Sequence, residues 1–142
     1  MSLATDSIFV AALRNDPDIP EYVSGRIYGT AIPLPDPDAD NVPAPFLIVT
    51  FNGLQNADQT KDNVYEGDSD TVNIGIEVVD KSLDSLHRLT QMVRQAVLNY
   101  MQENETPIQD YQFSAQTIQY DSDRPCYWQV LNWSCDVINS LT

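Results

Sequence analysis

One long amphipathic helix, set among β-rich segments, most constrains how this chain can fold. From Ser82 to about Glu103, apolar residues recur at helical spacing and form one stripe: Leu86, Leu89, Val93, Ala96, Val97 and Tyr100. Ser82 suits the N-cap, and Asp84 lies in the first turn, where the helix dipole favours negative charge. An apolar stripe must be buried against another element, and the rest of the chain offers mostly strands.

The clearest strand prediction is the segment from Thr71 to Val78, where apolar and polar residues alternate. Further strands are predicted around Arg26–Tyr28 and over Phe46–Phe51, Gln112–Tyr120 and Cys126–Val137. A short helix is predicted over about Leu3–Asn15, where Pro17 and Pro20 end it. The sequence therefore predicts an α+β fold: a mostly antiparallel sheet of about 4–5 strands, packed by one long helix plus a short N-terminal helix. One helix covers one face of such a sheet, so we expect part of the other face to be solvated or to meet another subunit.

Length and composition predict a single domain over residues 1–142, with two long connections. Five prolines between residues 33 and 45 exclude helix and central strand, so this Pro/Asp-rich stretch is predicted to be an extended loop. Residues 54–70 are polar and acidic with little periodicity, which predicts a long loop or a mobile hairpin arm. The Asn52-Gly53 pair before this arm is a turn signal, predicted to end the preceding strand.

Charge limits the classes of partner. The chain has 21 Asp and Glu against 7 Lys and Arg, for a net charge of −14. Because nucleic-acid binding relies on Lys and Arg that neutralise phosphates, we expect no direct binding to nucleic acid or to an anionic membrane. The longest apolar stretch near the N-terminus is too short to cross a membrane, and two cysteines are too few for a disulfide scaffold. A soluble protein folded in a reducing cytoplasm is expected.

No pattern of residues predicts catalysis. Asp36, Asp38 and Asp40 are spaced like the start of a Ca²⁺-binding EF-hand loop, but Asn41 replaces the required Gly and Leu47 the required Glu. His87, the single histidine, falls on the polar side of the long helix, and there is no Gly-x-Ser-x-Gly motif. We therefore expect a protein that is not an enzyme, with no cofactor and no metal site.

Two sets of residues are candidates for contacts with other proteins. The first is the acidic residues of the arm: Asp58, Asp62, Glu66, Asp68 and Asp70. The second is Tyr127 and Trp128 on the last predicted strand, where one face packs in the core and the other is either an interface or further core packing. Cys126 and Cys135 are nine residues apart on that strand, which places them on opposite faces and excludes a bond between them.

The order of these elements resembles the small tail-completion proteins of long-tailed bacteriophages, also called tail terminators or tail-to-head joining proteins. The resemblance covers nearly the whole chain and rests on three features. The N-terminal helix leads into Gly25–Gly29, the proline-rich Pro43–Pro45 enters the strand that starts at Phe46, and the polar arm runs into the Thr71–Val78 strand and the helix after it. The Asp-rich loop and the Trp- and Tyr-rich last strand depart from the family pattern.

The resemblance implies a structural, non-enzymatic role in a phage or prophage tail. Such proteins form a ring, typically a hexamer, that closes the tail tube and joins it to the head connector. The expected partners are therefore other copies of the chain, the tail-tube protein and the head-connector protein, with assembly in the host cytoplasm and a final place in the virion tail. Two alternatives stay open: a small acidic protein-binding adaptor domain, and a metal-dependent hydrolase that uses the acidic clusters.

Overall fold

The computed structural model describes residues 4–29, 44–56, 69–123 and 125–138, and the structural statements below concern these residues. Three helices and six strands follow one another along the chain. In order, they are α1 (Thr5–Asn15), α2 (Ile19–Tyr22), β1 (Ile27–Gly29), β2 (Phe46–Gln55), β3 (Ser69–Asp80), α3 (Leu83–Glu103), β4 (Ile108–Ala115), β5 (Gln119–Asp121) and β6 (Cys126–Ile138).

The six strands form one sheet in the order β1-β2-β3-β6-β4, with β5 also paired to β6. Only β1 and β2 run parallel within it; the other described pairs are antiparallel. The strand β6 is central: one edge pairs with β3 from Ser69↔Ile138 to Asp80↔Tyr127, and the other edge pairs with β4 and then with β5. The predicted α+β class with a mostly antiparallel sheet is confirmed, and the described strands number six where about 4–5 were expected.

The main core lies between the sheet and the helices. The predicted stripe of α3, from Leu86 to Val97, is buried in this core together with the predicted apolar face of β3. Trp133 of β6 is 2% exposed, and its ring lies 5.4 Å from that of Phe9 in α1 and 5.0 Å from that of Phe113 in β4. Because these residues come from five elements, this core ties the helical layer to both halves of the sheet.

Helix boundaries follow from local capping. The Oγ of Ser82 accepts a hydrogen bond from the backbone N–H of Ser85, which confirms the predicted N-cap of α3. The Asp16–Pro20 segment ends α1 as predicted, but it also starts α2, which the sequence did not predict. The Oδ2 atom of Asp16 accepts from the backbone N–H groups of Asp18 and Ile19, and Pro20 lies in the first turn, where a missing N–H costs little.

Two strand predictions were wrong at their ends. The pair Asn52-Gly53 does not end the strand: β2 continues to Gln55 through an irregularity between Phe51 and Gly53, because Gly53 tolerates a φ of 135°. The predicted arm over residues 54–70 is therefore too long at both ends, since β2 ends at Gln55 and β3 begins at Ser69. Residues 57–68 lie outside the described part of the chain, as do residues 30–43 of the predicted Pro/Asp-rich loop.

The predicted strand over Gln112–Tyr120 is in fact two strands. The strand β4 starts earlier, at Ile108, and ends at Ala115, while β5 starts at Gln119. Both pair with β6, so the chain bends between them and follows the same long partner. The N–H of Gln116 donates to the carbonyl of Val130 at 2.9 Å, which holds this bend against β6. The alternation of side-chain types in the sequence continues from Gln112 to Tyr120, so the sequence does not indicate the bend.

Candidate interaction surface

The described helices pack on one face of the sheet, and we call the other face the outer face. Strand residues alternate between the two faces, so each strand contributes every second side chain to the outer face. A second apolar cluster lies there, and none of its residues is helical: Phe46, Val79 and Cys126 are buried, with Tyr28, Ala44, Ile48 and Trp128 packed around them. The outer face is the surface of this domain that most resembles a binding surface.

The outer face is apolar at one end. Phe46, Val79 and Trp128 lie side by side across β2, β3 and β6, because the register pairs Phe46 with Val79 and Val79 with Trp128. The ring of Tyr28 on β1 meets that of Phe46 edge-on, at 6.3 Å between centroids. Cross-strand aromatic and aliphatic pairs of this kind stabilise a sheet and also suit the centre of a protein interface.

The other end of the outer face is polar, and its centre is uncharged. Its centre is Gly75 on β3, which pairs with Thr50 on β2 and with Asn132 on β6. A Cβ atom at Gly75 would lie 2.7 Å from Nδ2 of Asn52 and 3.0 Å from Oγ1 of Thr50, so these side chains fill the space that glycine leaves. Further uncharged polar residues share this end: Asn73, Gln112, Ser114 and Ser134. Two exposed carboxylates, Asp110 and Asp136, are paired with each other at the margin of this end.

Glu77 lies between the two ends of the outer face. It is paired with Ile48 on one side and with Val130 on the other, so its carboxylate stands among aliphatic side chains. Burial raises the pKa of the Glu77 carboxyl above its ordinary value. Among the residues that the structure describes, none donates a hydrogen bond to this carboxylate or forms an ion pair with it. A half-buried charge of this kind gains if a partner brings a cation or another hydrogen-bond donor.

The exposed side of α3 carries positively charged side chains, opposite in sign to the Glu77 carboxylate. From Ser85 to Gln102 there is no Asp or Glu, and the charged residues are Arg88 and Arg94. Both arginines are exposed, as is Gln91 between them. The guanidinium carbon of Arg94 lies 4.2 Å from the centroid of the Phe113 ring, a cation–π contact that holds this side chain against the edge of the sheet. The surface thus carries two arginines and no carboxylate from the helix itself, with Asp16 and Asp18 beside it near Gln91 and Gln95, and it lies on the side of the domain opposite the outer face.

A buried carboxylate joins the end of β3 to the helices. Asp80 is 2% exposed; its Oδ2 accepts a 2.7 Å hydrogen bond from the hydroxyl of Tyr22, and its Oδ1 accepts from the backbone N–H of Lys81. Burial and this bond to Asp80 raise the pKa of the Tyr22 hydroxyl. Both carboxylate oxygens are thus used to position α2 and the turn before α3. Asp80 therefore has a structural role, because its two carboxylate oxygens accept hydrogen bonds from groups inside the fold.

The predicted contact residues are separated by the fold. Tyr127 and Trp128 lie on opposite faces of β6: Tyr127 packs against the main core with its ring 4.9 Å from that of Tyr120, while Trp128 packs in the outer-face cluster. Asp70 is not part of an exposed arm; it lies in β3, 5% exposed, and accepts a hydrogen bond from Nδ2 of Asn56 at 2.9 Å. The other four acidic candidates are Asp58, Asp62, Glu66 and Asp68, and they lie outside the described residues.

The described residues offer no centre for metal or thiol chemistry. Across residues 4–29, 44–56, 69–123 and 125–138, no group of three or more His, Cys, Asp and Glu side chains converges in a way that could hold a metal ion. The predicted acidic triplet Asp36, Asp38 and Asp40 lies outside these ranges. The two cysteines face different clusters, as predicted, and burial raises the pKa of the Cys135 thiol to about 12. Within the same ranges, none of the helices combines the length and the apolar character that crossing a bilayer requires.

Comparisons with known proteins show the fold. No protein-family model matches the chain. No curated protein matches it either. Among solved structures, a chain of the "Virion of native gene transfer agent (GTA) particle" is similar over 94% of this chain and 94% of that one, with a TM-score of 0.54 and 12% sequence identity. This chain therefore shares its fold, over nearly its whole length, with a protein of that virion.

Proposed function

We propose that this protein is a structural component of a phage or prophage virion and that it forms a ring closing the tail tube and joining it to the head connector. The observation that carries the proposal is the fold shared with a chain of a gene transfer agent virion over 94% of both chains. The match covers nearly all of both chains, so the likeness extends to the whole fold and not to one part of it. The sequence resemblance to tail-completion proteins supports the same role from a separate line of reasoning.

The described surfaces support a role in assembly. A domain whose helices cover one face of its sheet has a second face, with Trp128 and Ile48 partly exposed, that suits contact with another protein. The partners proposed are other copies of this chain, the tail-tube protein and the head-connector protein. The protein would act by binding alone, without catalysis or a cofactor, and would assemble in the host cytoplasm before it enters the virion tail.

Electron microscopy of particles from a producing strain tests this function. Disruption of the gene should leave filled heads and separate tails, because tails without their terminal ring cannot join a connector. A plasmid copy should restore complete particles, and a tagged copy should label one end of isolated tails. Normal particles from the disrupted strain would contradict the proposal.

An acidic adaptor domain is the alternative outcome of the same experiment. The net charge of −14 would then serve to attract basic partner proteins. In that case the tagged protein would be absent from purified particles and monomeric at every concentration. Light scattering coupled to size exclusion measures the second property directly, whereas the tail terminator is expected to form a discrete ring, of six subunits if it follows the family.

A further inference from the structure

The charges of two surfaces described above are complementary. The outer face of the sheet presents Glu77, a half-buried carboxylate without a described partner, between Ile48 and Val130, and it presents the exposed Asp110 and Asp136 at its polar end. The exposed side of α3 presents Arg88 and Arg94 in a stretch of 18 residues, 85–102, that has no carboxylate. Elsewhere the chain is strongly acidic, so two copies that approach at random repel each other.

The positions of these surfaces determine the kind of contact they can make. The helices pack on one side of the sheet and the outer face is the other side, so the two surfaces point in opposite directions. One copy can therefore use both surfaces at the same time, with a different neighbour on each. Contacts between unlike surfaces are heterologous, and they close into a ring when the rotation between neighbours allows it.

We propose that copies of this protein bind head to tail, with the α3 surface around Arg88 and Arg94 of one copy on the outer face around Glu77 of the next. This proposal rests on the proposed ring and assigns the surfaces from which the ring is built. The arginines supply the cations that Glu77 lacks, and the partly exposed side chains at the apolar end, Tyr28, Ile48 and Trp128, supply apolar area that the contact buries. The uncharged residues around Gly75 add no charge repulsion where they meet the next copy.

Charge reversal tests this contact, because it predicts both loss and rescue. Glu77→Arg and Arg94→Glu should each weaken self-association about tenfold or more, measured as the dissociation constant by sedimentation velocity over a concentration series. Mixing the two variants should restore association. In the mixture, the outer face of the first variant meets the α3 surface of the second with the two charges exchanged, and the reciprocal contact keeps the wild-type pair.

Matched controls separate this contact from a general effect of charge or of folding. Glu105→Arg and Lys81→Glu make the same changes of charge at exposed positions outside the strands and outside α3, and should associate like the wild type. The rescue by mixing shows that both reversed variants are folded. Arg88→Glu provides a second test on α3 that leaves the contact between Arg94 and Phe113 intact.

Three results would overturn the proposal. Wild-type association of Glu77→Arg and both arginine variants would place the contact elsewhere on the domain. If Glu77→Arg loses association while both arginine variants associate like the wild type, two outer faces meet instead. A wild type that stays monomeric at every concentration would exclude this contact in the free protein. By contrast, head-to-tail association in a protein that is absent from virions would support the contact and contradict the proposed function.

Discussion

The two faces of the sheet are built from the same strands but have different tasks. On the covered face, side chains from β3, β6 and three helices form one continuous core, with Trp133 at 2% exposure between two other aromatic rings. On the outer face, the apolar cluster is small and the polar half is exposed, apart from buried Gly75 and a few half-buried residues. The covered face therefore supplies most of the free energy of unfolding. The exposed polar half of the outer face contributes little to it and can contact another protein. Substitutions matched between the faces should separate these contributions.

The largest difference in the free energy of unfolding is expected between variants of the two tryptophans of β6. Trp133→Ala removes a fully packed ring from the core and should lower the free energy of unfolding by about 3–5 kcal/mol. Trp128→Ala removes the same side chain from the outer face and should cost less than about 2 kcal/mol, because its ring is partly exposed. Urea unfolding followed by circular dichroism measures both. Equal losses would mean that the outer face is as important to stability as the core.

A smaller effect is expected from the buried carboxylate at the end of β3. Asp80→Ala leaves the hydroxyl of Tyr22 and the N–H of Lys81 without their acceptor, which should cost about 1–3 kcal/mol. Asp136→Ala, at an exposed carboxylate on the outer face, is the control and should change stability by about 0.5 kcal/mol or less. If the two variants unfold at the same urea concentration, the bond between Tyr22 and Asp80 does not hold α2 in place.

The N-cap of α3 should contribute still less to the free energy of unfolding. Ser82→Ala removes the acceptor for the N–H of Ser85 and should cost about 1 kcal/mol. Ser114→Ala on β4 removes a hydroxyl from the exposed outer face and should be close to neutral. Thermal unfolding of the two variants beside the wild type checks the difference. A neutral Ser82→Ala would show that packing of the apolar stripe alone sets where α3 begins.

The smallest effect on the free energy of unfolding is expected at Glu77, where the substitution should stabilise the fold instead of weakening it. Burial raises the pKa of its carboxyl in the folded chain above the unfolded value, so the folded state binds more protons between those two pKa values. Stability contributed by this group is therefore highest at low pH and falls as pH rises towards the folded pKa. Glu77→Gln should unfold at higher urea concentration than the wild type near pH 7, and the difference should shrink towards about pH 3.

The measurement compares variant and wild type at each pH, so that the other carboxylates cancel. It should be made with dilute protein, where self-association does not contribute. A Glu77→Gln variant that is less stable than the wild type at neutral pH would mean that the carboxylate makes a favourable contact in the folded chain.

Sequence reasoning recovered the elements with the strongest periodicity and missed those decided by pairing. The stripe of α3 and the alternation of β3 are local patterns that survive in the fold, and the N-cap at Ser82 is a local hydrogen bond. The continuation of β2 past Gly53 was missed, because strand pairing with β3 outweighs a turn signal that is only a local preference. The split between β4 and β5 was missed for the same reason: both follow β6, which is distant in sequence.

The candidate surface was predictable in part. The alternation in Thr71–Val78 already put Glu77 on the face away from the core, and Trp128 was a candidate contact residue from sequence alone. What the sequence does not show is which strands flank Glu77, and hence that Ile48 and Val130 surround its carboxylate. The absence of carboxylates from Ser85 to Gln102 is visible in the sequence, but its meaning depends on α3 lying opposite the outer face.

The central place of β6 has a consequence for synthesis on the ribosome. The strand comes last of the nine described elements in chain order, yet it lies between β3 and β4 and pairs with both. Until β6 has been translated, β3 lacks its second neighbour and β4 lacks the partner it has in the finished sheet. Nascent chains therefore expose unpaired strands until β6 has been translated, and the sheet closes only as β6 inserts between partners made earlier.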